Sequence, residues 1–195
     1  MLKKVLVIFI LMPLLLTGCK SSHKIETASI IENVSVHRQD GRLTYTFYIL
    51  TDSDSPNAVA IPADSFEQAA ALAERKYIPD MSLSKLELLL IERNVCGDVM
   101  RDDIEYISTQ ASFSPIAYVA LCDDSAIKLM REKTSAQESI ENLLILCKKN
   151  NHDVKTDYLS VFNSYAGKKD EVLRVPFVSA ENELKVTAVE ITQKK

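Results

Sequence analysis

The chain has 195 residues, of which 47% are hydrophobic and 26% are charged, and its formal net charge is -4 at pH 7. An acidic chain lacks the basic surface that recognises nucleic acid, and it lacks a polybasic patch that would bind a membrane surface. We therefore expect neither kind of contact. Its length allows one domain with an ordinary hydrophobic core, built without disulfide or metal cross-links.

The N-terminal segment has the three parts of a secretory signal peptide. Lys3 and Lys4 come before an apolar stretch from Val5 to Leu16, and the small residues Thr17 and Gly18 lead to Cys19. This junction resembles the lipobox of bacterial lipoproteins, in which the cysteine thiol receives a diacylglyceryl group and the chain is cleaved before it. We therefore expect residues 1–18 to be removed and Cys19 to be lipidated.

An uncleaved transmembrane helix is the alternative for the same segment. The apolar run is shorter than the roughly 20 residues that span a bilayer, and Pro13 interrupts it. Two acyl chains hold a protein stably at a membrane surface, whereas one chain does so only marginally. The resemblance thus implies a protein tethered through Cys19 to the extracytoplasmic face of the cell membrane.

The rest of the chain divides into a tether and one domain. Residues 19–27 are polar and form a short tether, and residues 28–195 form a single extracytoplasmic domain, with 151–195 as a candidate subdomain. Ala28–Val36 is rich in Ile and Val and predicts a strand. Asp40-Gly41 predicts a turn, and the alternating pattern of Leu43–Ile49 completes a β-hairpin.

The middle of the chain predicts a loop, a helix and a βαβ unit. Thr51–Pro62 contains Asp, Ser, Asn and Pro and is expected to be an exposed loop. Asp64 and Glu67 have the spacing of a capping box, before a helix with one apolar face formed by Phe66, Ala69, Ala70 and Ala73. Two apolar strands, Leu86–Ile91 and Ile116–Leu121, flank a helix over 98–110 and form the βαβ unit with it. The inward residues of this helix are Met100, Ile104 and Ile107. Its positive end carries Asp98, Asp102 and Asp103.

The last third predicts helices and a closing strand pair. Asp123 or Asp124 caps a helix with Ile127 and Met130 inward, and Ser135 with Glu138 forms a second capping box, before a helix with the apolar face Ile140, Leu143, Leu144 and Cys147. A short helix with Leu159 and Phe162, a turn over 166–170, and the strands Val172–Val178 and Leu184–Ile191 follow. The expected fold is α/β of mixed α+β type: a hairpin and a βαβ unit in one mixed sheet flanked by helices, closed by a C-terminal strand pair.

The cysteines do not form a recognisable disulfide or metal set. Cys96, Cys122 and Cys147 remain once Cys19 is lipidated, and an odd number cannot all pair, so at least one is free. Each lies in or beside an apolar run and is expected to be a small buried hydrophobe. Cys147 and His152 are close in sequence, but no second pair completes a tetrahedral zinc site.

No catalytic or cofactor site is evident. The sequence has no Gly-x-Ser-x-Gly elbow, phosphate-binding glycine loop or His-Glu-x-x-His motif. The histidines His23, His37 and His152 are expected at the surface. Asp52 and Asp54 begin like a calcium loop but lack its glycine and terminal glutamate, so they are expected to be solvated. We therefore expect a protein that is not an enzyme and has no metal or cofactor.

The order of these elements resembles the Ger(x)C lipoproteins, the C subunits of bacterial spore germinant receptors. The matching segments are Cys19, Lys24-Ile25-Glu26, Ile30–Val36 and Asp40-Gly41, then Ser65-Phe66-Glu67-Gln68-Ala69, Ser84–Ile91, Asp102–Ile107, Ile116–Leu121, Tyr158–Phe162 and Val175-Pro176-Phe177. The chain differs from many members at Lys20, where they have Trp, and at Ser84, where His is common. The resemblance covers most of residues 19–191 and corresponds to the N-terminal domain of those proteins.

The resemblance implies a non-enzymatic subunit with the A- and B-type receptor subunits as partners and germination as the process. The alternative is a free-standing lipoprotein that delivers a small solute or peptide to a transporter. Such proteins usually have two lobes, and the chain is short for two. Tyr45 and Tyr48 on the hairpin are candidate contact residues, although aromatic residues in strands more often pack inside.

Overall fold

The computed structural model describes residues 28–99, 102–110, 113–166 and 172–192. The predictions on the signal segment, Cys19, the tether, His23, Met100 and the turn over 167–170 lie outside the described residues. The strands are β1 (Ser29–Gln39), β2 (Arg42–Ile49), β3 (Asn57–Pro62), β4 (Met81–Ser82), β5 (Leu88–Glu92), β6 (Tyr118–Cys122), β7 (Val172–Ser179) and β8 (Lys185–Thr192). The helices are α1 (Phe66–Lys76), α2 (Cys96–Val99), α3 (Asp102–Ser108), α4 (Asp124–Glu132), α5 (Thr134–Asn150) and α6 (Tyr158–Ala166), with a 3₁₀ turn at Arg93–Val95.

The strands form one mixed sheet in the order β3-β2-β1-β5-β6-β7-β8, and β4 pairs in parallel with the start of β1. The central pairs β1–β5, β5–β6 and β6–β7 are parallel, whereas β3–β2, β2–β1 and β7–β8 are antiparallel. This arrangement confirms the predicted mixed α/β fold, its hairpin, its βαβ unit and its C-terminal strand pair. The last two strands extend the same sheet.

The β1–β2 hairpin turns at the predicted dipeptide. Gln39 pairs with Arg42, so Asp40 and Gly41 are the two central residues of the turn. Their φ angles are 51° and 78°. Positive φ at both positions is the geometry of a type I′ turn, which matches the twist of the strands and which Asp-Gly adopts readily.

The predicted exposed loop Thr51–Pro62 is wrong in its second half. Asn57–Pro62 forms β3, which pairs with β2 at one end of the sheet order. In β3, Ile61 is buried and Val59 is half-buried while the residues between and around them are exposed. Proline is tolerated at the end of an edge strand, so Pro56 and Pro62 did not exclude a strand between them.

Two of the predicted capping boxes are also wrong. The N-cap of α1 is Ser65, whose hydroxyl accepts a hydrogen bond from the Gln68 amide, and Gln68 in turn accepts one from the Asp64 amide. Helix α5 begins at Thr134 after an N-cap Lys133 that makes no side-chain cap. The predicted cap of α4 is confirmed, since Asp123 accepts from the amide of Ala126.

The helices cover both faces of the sheet. β5 is apolar throughout because its side chains alternate between two cores, one on each face of the sheet. Leu89 and Ile91 pack in one core with α1, α3 and α6. Leu88 and Leu90 pack in the second core with α4 and α5. The inward residues predicted for α1 are buried, as are Ile104, Ile107, Ile127, Met130, Ile140, Leu144 and Cys147, with Leu143 half-buried.

The helix predicted over 98–110 is described as helical at Cys96–Val99 and Asp102–Ser108, and residues 100 and 101 lie outside the described residues. One helical prediction needs correction. In α6 the buried side chains are Tyr158 and Val161, whereas Leu159 is 51% exposed and Phe162 is only partly buried. The inward stripe of α6 therefore begins one residue earlier than the sequence predicted.

Asp103, which we predicted near the positive end of a helix, is buried. Its Oδ2 accepts a hydrogen bond of 2.5 Å from the hydroxyl of Tyr45 on β2, and its Oδ1 accepts one of 2.8 Å from the backbone amide of Phe66 at the start of α1. Burial raises the pKa of the Asp103 carboxyl, although both hydrogen bonds act in the opposite direction. One carboxyl thus joins β2, α1 and α3.

Replacing Asp103 by Ala is expected to lower the free energy of unfolding by about 3 kcal/mol, because the buried Tyr45 hydroxyl and the Phe66 amide lose their acceptor. The neighbouring exposed Asp102 is the matched control, and Asp102→Ala should change it by no more than about 0.5 kcal/mol. Urea unfolding with unchanged m-values measures both. Equal effects of the two substitutions would contradict the assignment.

Candidate functional site

The three described cysteines are free and buried, as predicted. Burial raises the pKa of Cys96 to about 11, raises that of Cys122 well above its usual value, and raises that of Cys147. A thiol must lose its proton to act as a nucleophile or metal ligand. These cysteines therefore serve as buried packing groups.

Tyr45 and Tyr48, the candidate contact residues of the hairpin, are buried. The Tyr45 ring packs edge-on against Phe66, with 5.9 Å between ring centroids. The Tyr48 hydroxyl lies 3.2 Å from the Ser35 hydroxyl, and burial raises the pKa of Tyr48 to about 12. Neither side chain is available to a partner, and both pack inside the fold.

His37 is buried, contrary to the prediction of a surface histidine, whereas His152 is exposed as predicted. His37 lies on the same face of β1 as Asn33 and Ser35, two residues apart along the strand. Burial lowers the pKa of His37, against the opposing effect of the Gln39 side chain. The periodicity of β1 favours an exposed face for Asn33, Ser35 and His37, because they alternate with the core residues Val34 and Val36. Their burial comes from α4 and α5, which cover this face and which no local pattern indicates.

The described residues form an acidic cleft of about 550 Å³. Its walls come from β1, from the segment before β5, from the loop between β2 and β3, and from the first turns of α5. The Thr134 hydroxyl at the start of α5 donates to the carbonyl of Ser53 in the loop, over 3.2 Å, and so ties two walls together. Six carboxylates line the acidic cleft: Glu32, Asp52, Asp54, Glu87, Glu138 and Glu141.

Strand register brings the innermost carboxylates together. Asn33 of β1 pairs with Leu88 of β5 in parallel, so the residues just before them, Glu32 and Glu87, are neighbours. The Glu87 amide donates to the Glu32 carbonyl over 2.7 Å. Glu141 reaches the same place from α5.

These carboxylates repel one another. Burial raises the pKa of Glu141 to about 8, and its side-chain hydrogen bond with Glu87 and the charges of Glu87 and Glu32 act in the same direction. The pKa of Glu32 is raised by burial and by Glu87, against the opposing effect of Lys85. The protonated form of Glu141 is therefore favoured at neutral pH.

An amide pair forms the wall beside the carboxylates. Asn33 is fully buried, and its Nδ2 donates to Oε1 of Gln137 over 2.7 Å. Gln137 donates through Nε2 to the carbonyl of Met130 over 3.4 Å. This leaves Asn33 Oδ1 as a buried acceptor without a hydrogen-bond partner.

The acidic cleft was not predicted from the sequence. Asp52 and Asp54 were predicted as loop carboxylates, which is confirmed, and Glu138 was predicted as part of a helix cap. Glu32, Glu87 and Glu141 are far apart in the chain, and only the parallel β1–β5 register and the packing of α5 bring them together. Each glutamate alone has no distinguishing signal.

Within the described ranges, no set of three or more His, Cys, Asp or Glu side chains is placed to hold one metal ion. In the same part of the chain, no helix combines the length and apolar character needed to cross a bilayer.

Glu141→Gln is expected to become more stable relative to the parent protein as the pH rises from about 4.5 to about 8. In this window the folded parent keeps the Glu141 proton that the unfolded chain loses, so the parent loses stability with rising pH and the amide variant does not. Urea midpoints at several pH values test this, with the exposed Glu181→Gln as control. A difference that is constant with pH would contradict the raised pKa.

The buried thiols are expected to resist iodoacetamide in the native protein and to react fully in urea, since reaction requires both exposure and the thiolate. Intact-mass spectrometry counts the adducts, with Cys122 expected to be among the last to react because it is completely buried. Rapid stoichiometric labelling of Cys96 or Cys122 under native conditions would be inconsistent with their burial.

Comparison with known proteins gives a single finding. Residues 21–179 match the family described as the spore germination protein N-terminal domain. No curated protein and no solved structure matches the chain. The match spans the sheet from β1 to β7 and includes the Ser65–Ala69 helix start, whose cap and buried Phe66 are described above. The chain therefore belongs to the spore germination protein N-terminal domain family.

Proposed function

We propose that this protein is a lipid-anchored, non-enzymatic C-type subunit of a spore germinant receptor. The observation that carries the proposal is the family match over residues 21–179, which begins two residues after Cys19. The process is germination, and the partners are the A- and B-type membrane subunits of the receptor.

The proposed anchor is a diacylglyceryl group on Cys19. The lipobox-like junction supports it, because the charged start and the short apolar run are those of a signal segment. Nine residues separate Cys19 from β1, so at about 3.5 Å per residue the distance from Cys19 to Ser29 is no more than about 35 Å. An anchor at Cys19 would thus keep the domain close to the membrane surface and to its partners.

The environments of the described cysteines are consistent with a role that is not catalytic. Cys96 and Cys122 are buried thiols with raised pKa values, so neither is prepared to attack a substrate. Asp103, the most buried carboxylate described, is occupied by its two hydrogen bonds. These groups serve the fold, which agrees with a subunit that acts through contact.

A pull-down tests the proposal. The tagged protein is expressed from its own locus with its native N-terminus, extracted with detergent from spore and vegetative membranes, and analysed by mass spectrometry. We expect germinant-receptor membrane subunits from spores and a diacylglyceryl mass addition on Cys19. Cys19→Ala should abolish both, because the domain is no longer held beside its partners.

Cys147→Ala is the matched control, since it removes another cysteine thiol, one that is only 9% exposed, and should leave the anchor and recovery intact. Failure to recover any membrane subunit from spores would contradict the proposal. Transporter components recovered from growing cells would instead support a solute-binding lipoprotein.

A further inference from the structure

We propose that the acidic cleft binds the ammonium group of a small organic amine. Cys19 is not one of the described residues that line this cleft, and the occupation of the cleft does not depend on the proposed partners.

The acidic cleft offers hydrogen-bond acceptors and negative charge. Its lining contains six carboxylates, and Lys133 is the cationic side chain among the described lining residues. A ligand that fits must carry positive charge and N–H donors, since a carboxylate can only accept. An anion would be repelled by these six carboxylates. This repulsion outweighs the attraction of the free amides at the start of α5, which has no side-chain cap.

The side-chain oxygen of Asn33 is a second, independent observation, because it is a hydrogen-bond acceptor to which no group of the protein donates. The Gln137 amide donates to the Met130 carbonyl, so its oxygen faces Asn33 and receives the Asn33 amide hydrogen. Asn33 is thereby oriented with Oδ1 as its free acceptor, in a fully buried side chain that lines the cleft. A buried acceptor without a partner is costly, and an ammonium N–H satisfies it.

The geometry favours an ammonium group over a directly coordinated metal ion. A metal needs several ligand atoms on one small sphere, and the described acidic side chains are not placed to provide three. An ammonium group instead donates to acceptors spread around it, and the space of about 550 Å³ admits the carbon chain that carries it.

Binding should compete with protonation of Glu141. Glu141 faces Glu87 before β5, Glu32 on β1 and Glu138 on its own helix, and Lys85 acts on Glu32. A bound ammonium replaces the Glu141 proton as the positive charge among these groups. Affinity should therefore increase as the pH rises toward about 9, where an alkylamine is still charged.

The test titrates 1,4-diaminobutane into the detergent-solubilised full-length protein and follows the Asn33 side-chain amide by NMR. The uncharged 1,4-butanediol is the ligand control, and calcium chloride tests a metal. Glu87→Gln and Glu141→Gln remove charge with little change in shape, and Glu32→Gln is the further variant should one of them fail to fold. Glu181→Gln, an exposed carboxylate in the turn between β7 and β8, is the matched control.

We expect saturable binding of the diamine with a shift of the Asn33 amide, and at least a tenfold loss of affinity in Glu87→Gln and Glu141→Gln. Glu181→Gln should bind as the parent protein does, and butanediol should not bind. Absence of saturable binding at millimolar diamine, equal affinity in the cleft variants, or tighter binding of calcium than of the diamine would each overturn the proposal.

Discussion

The carboxyl of Asp103 is the contact on which the arrangement of the N-terminal half depends. It is buried, so it must be satisfied, and its two acceptors are used by groups on different elements, the Tyr45 hydroxyl and the Phe66 amide. Because the amide belongs to the first residue of α1, this hydrogen bond also satisfies one of the donors that a helix start leaves open. The hairpin, α1 and the βαβ crossover are therefore held in one position relative to each other.

The same contact explains the Ser-Phe-x-x-Ala segment that carried the family resemblance. Ser65 caps α1, Ala69 is completely buried, and the Phe66 ring packs against Tyr45, Phe47 and Tyr106. The helix and its apolar face were predictable because their periodicity is local. The role of Asp103 was not, since an acidic residue at a helix start has an adequate local explanation and nothing in the sequence shows that Tyr45 lies opposite.

The acidic cleft illustrates the same limit on a larger scale. The strands that hold Glu32 and Glu87 were predicted, but their parallel pairing was not, and the register of β1 against β5 is what places the two glutamates side by side. β3 was missed because its prolines and polar neighbours resemble those of a loop, and only pairing with β2 makes it a strand. Local patterns therefore gave the fold class, whereas long-range pairing determines the site.

Hydrogen exchange of the Phe66 amide measures the central contact most directly. A first-turn helix amide has no acceptor within its helix and ordinarily exchanges fast. If Asp103 joins the hairpin, α1 and α3 as described, the Phe66 amide is protected to the level of the buried β1 amides, and Asp103→Ala removes that protection. Exchange of the Phe66 amide at the rate of an unstructured peptide in the parent protein would contradict the account.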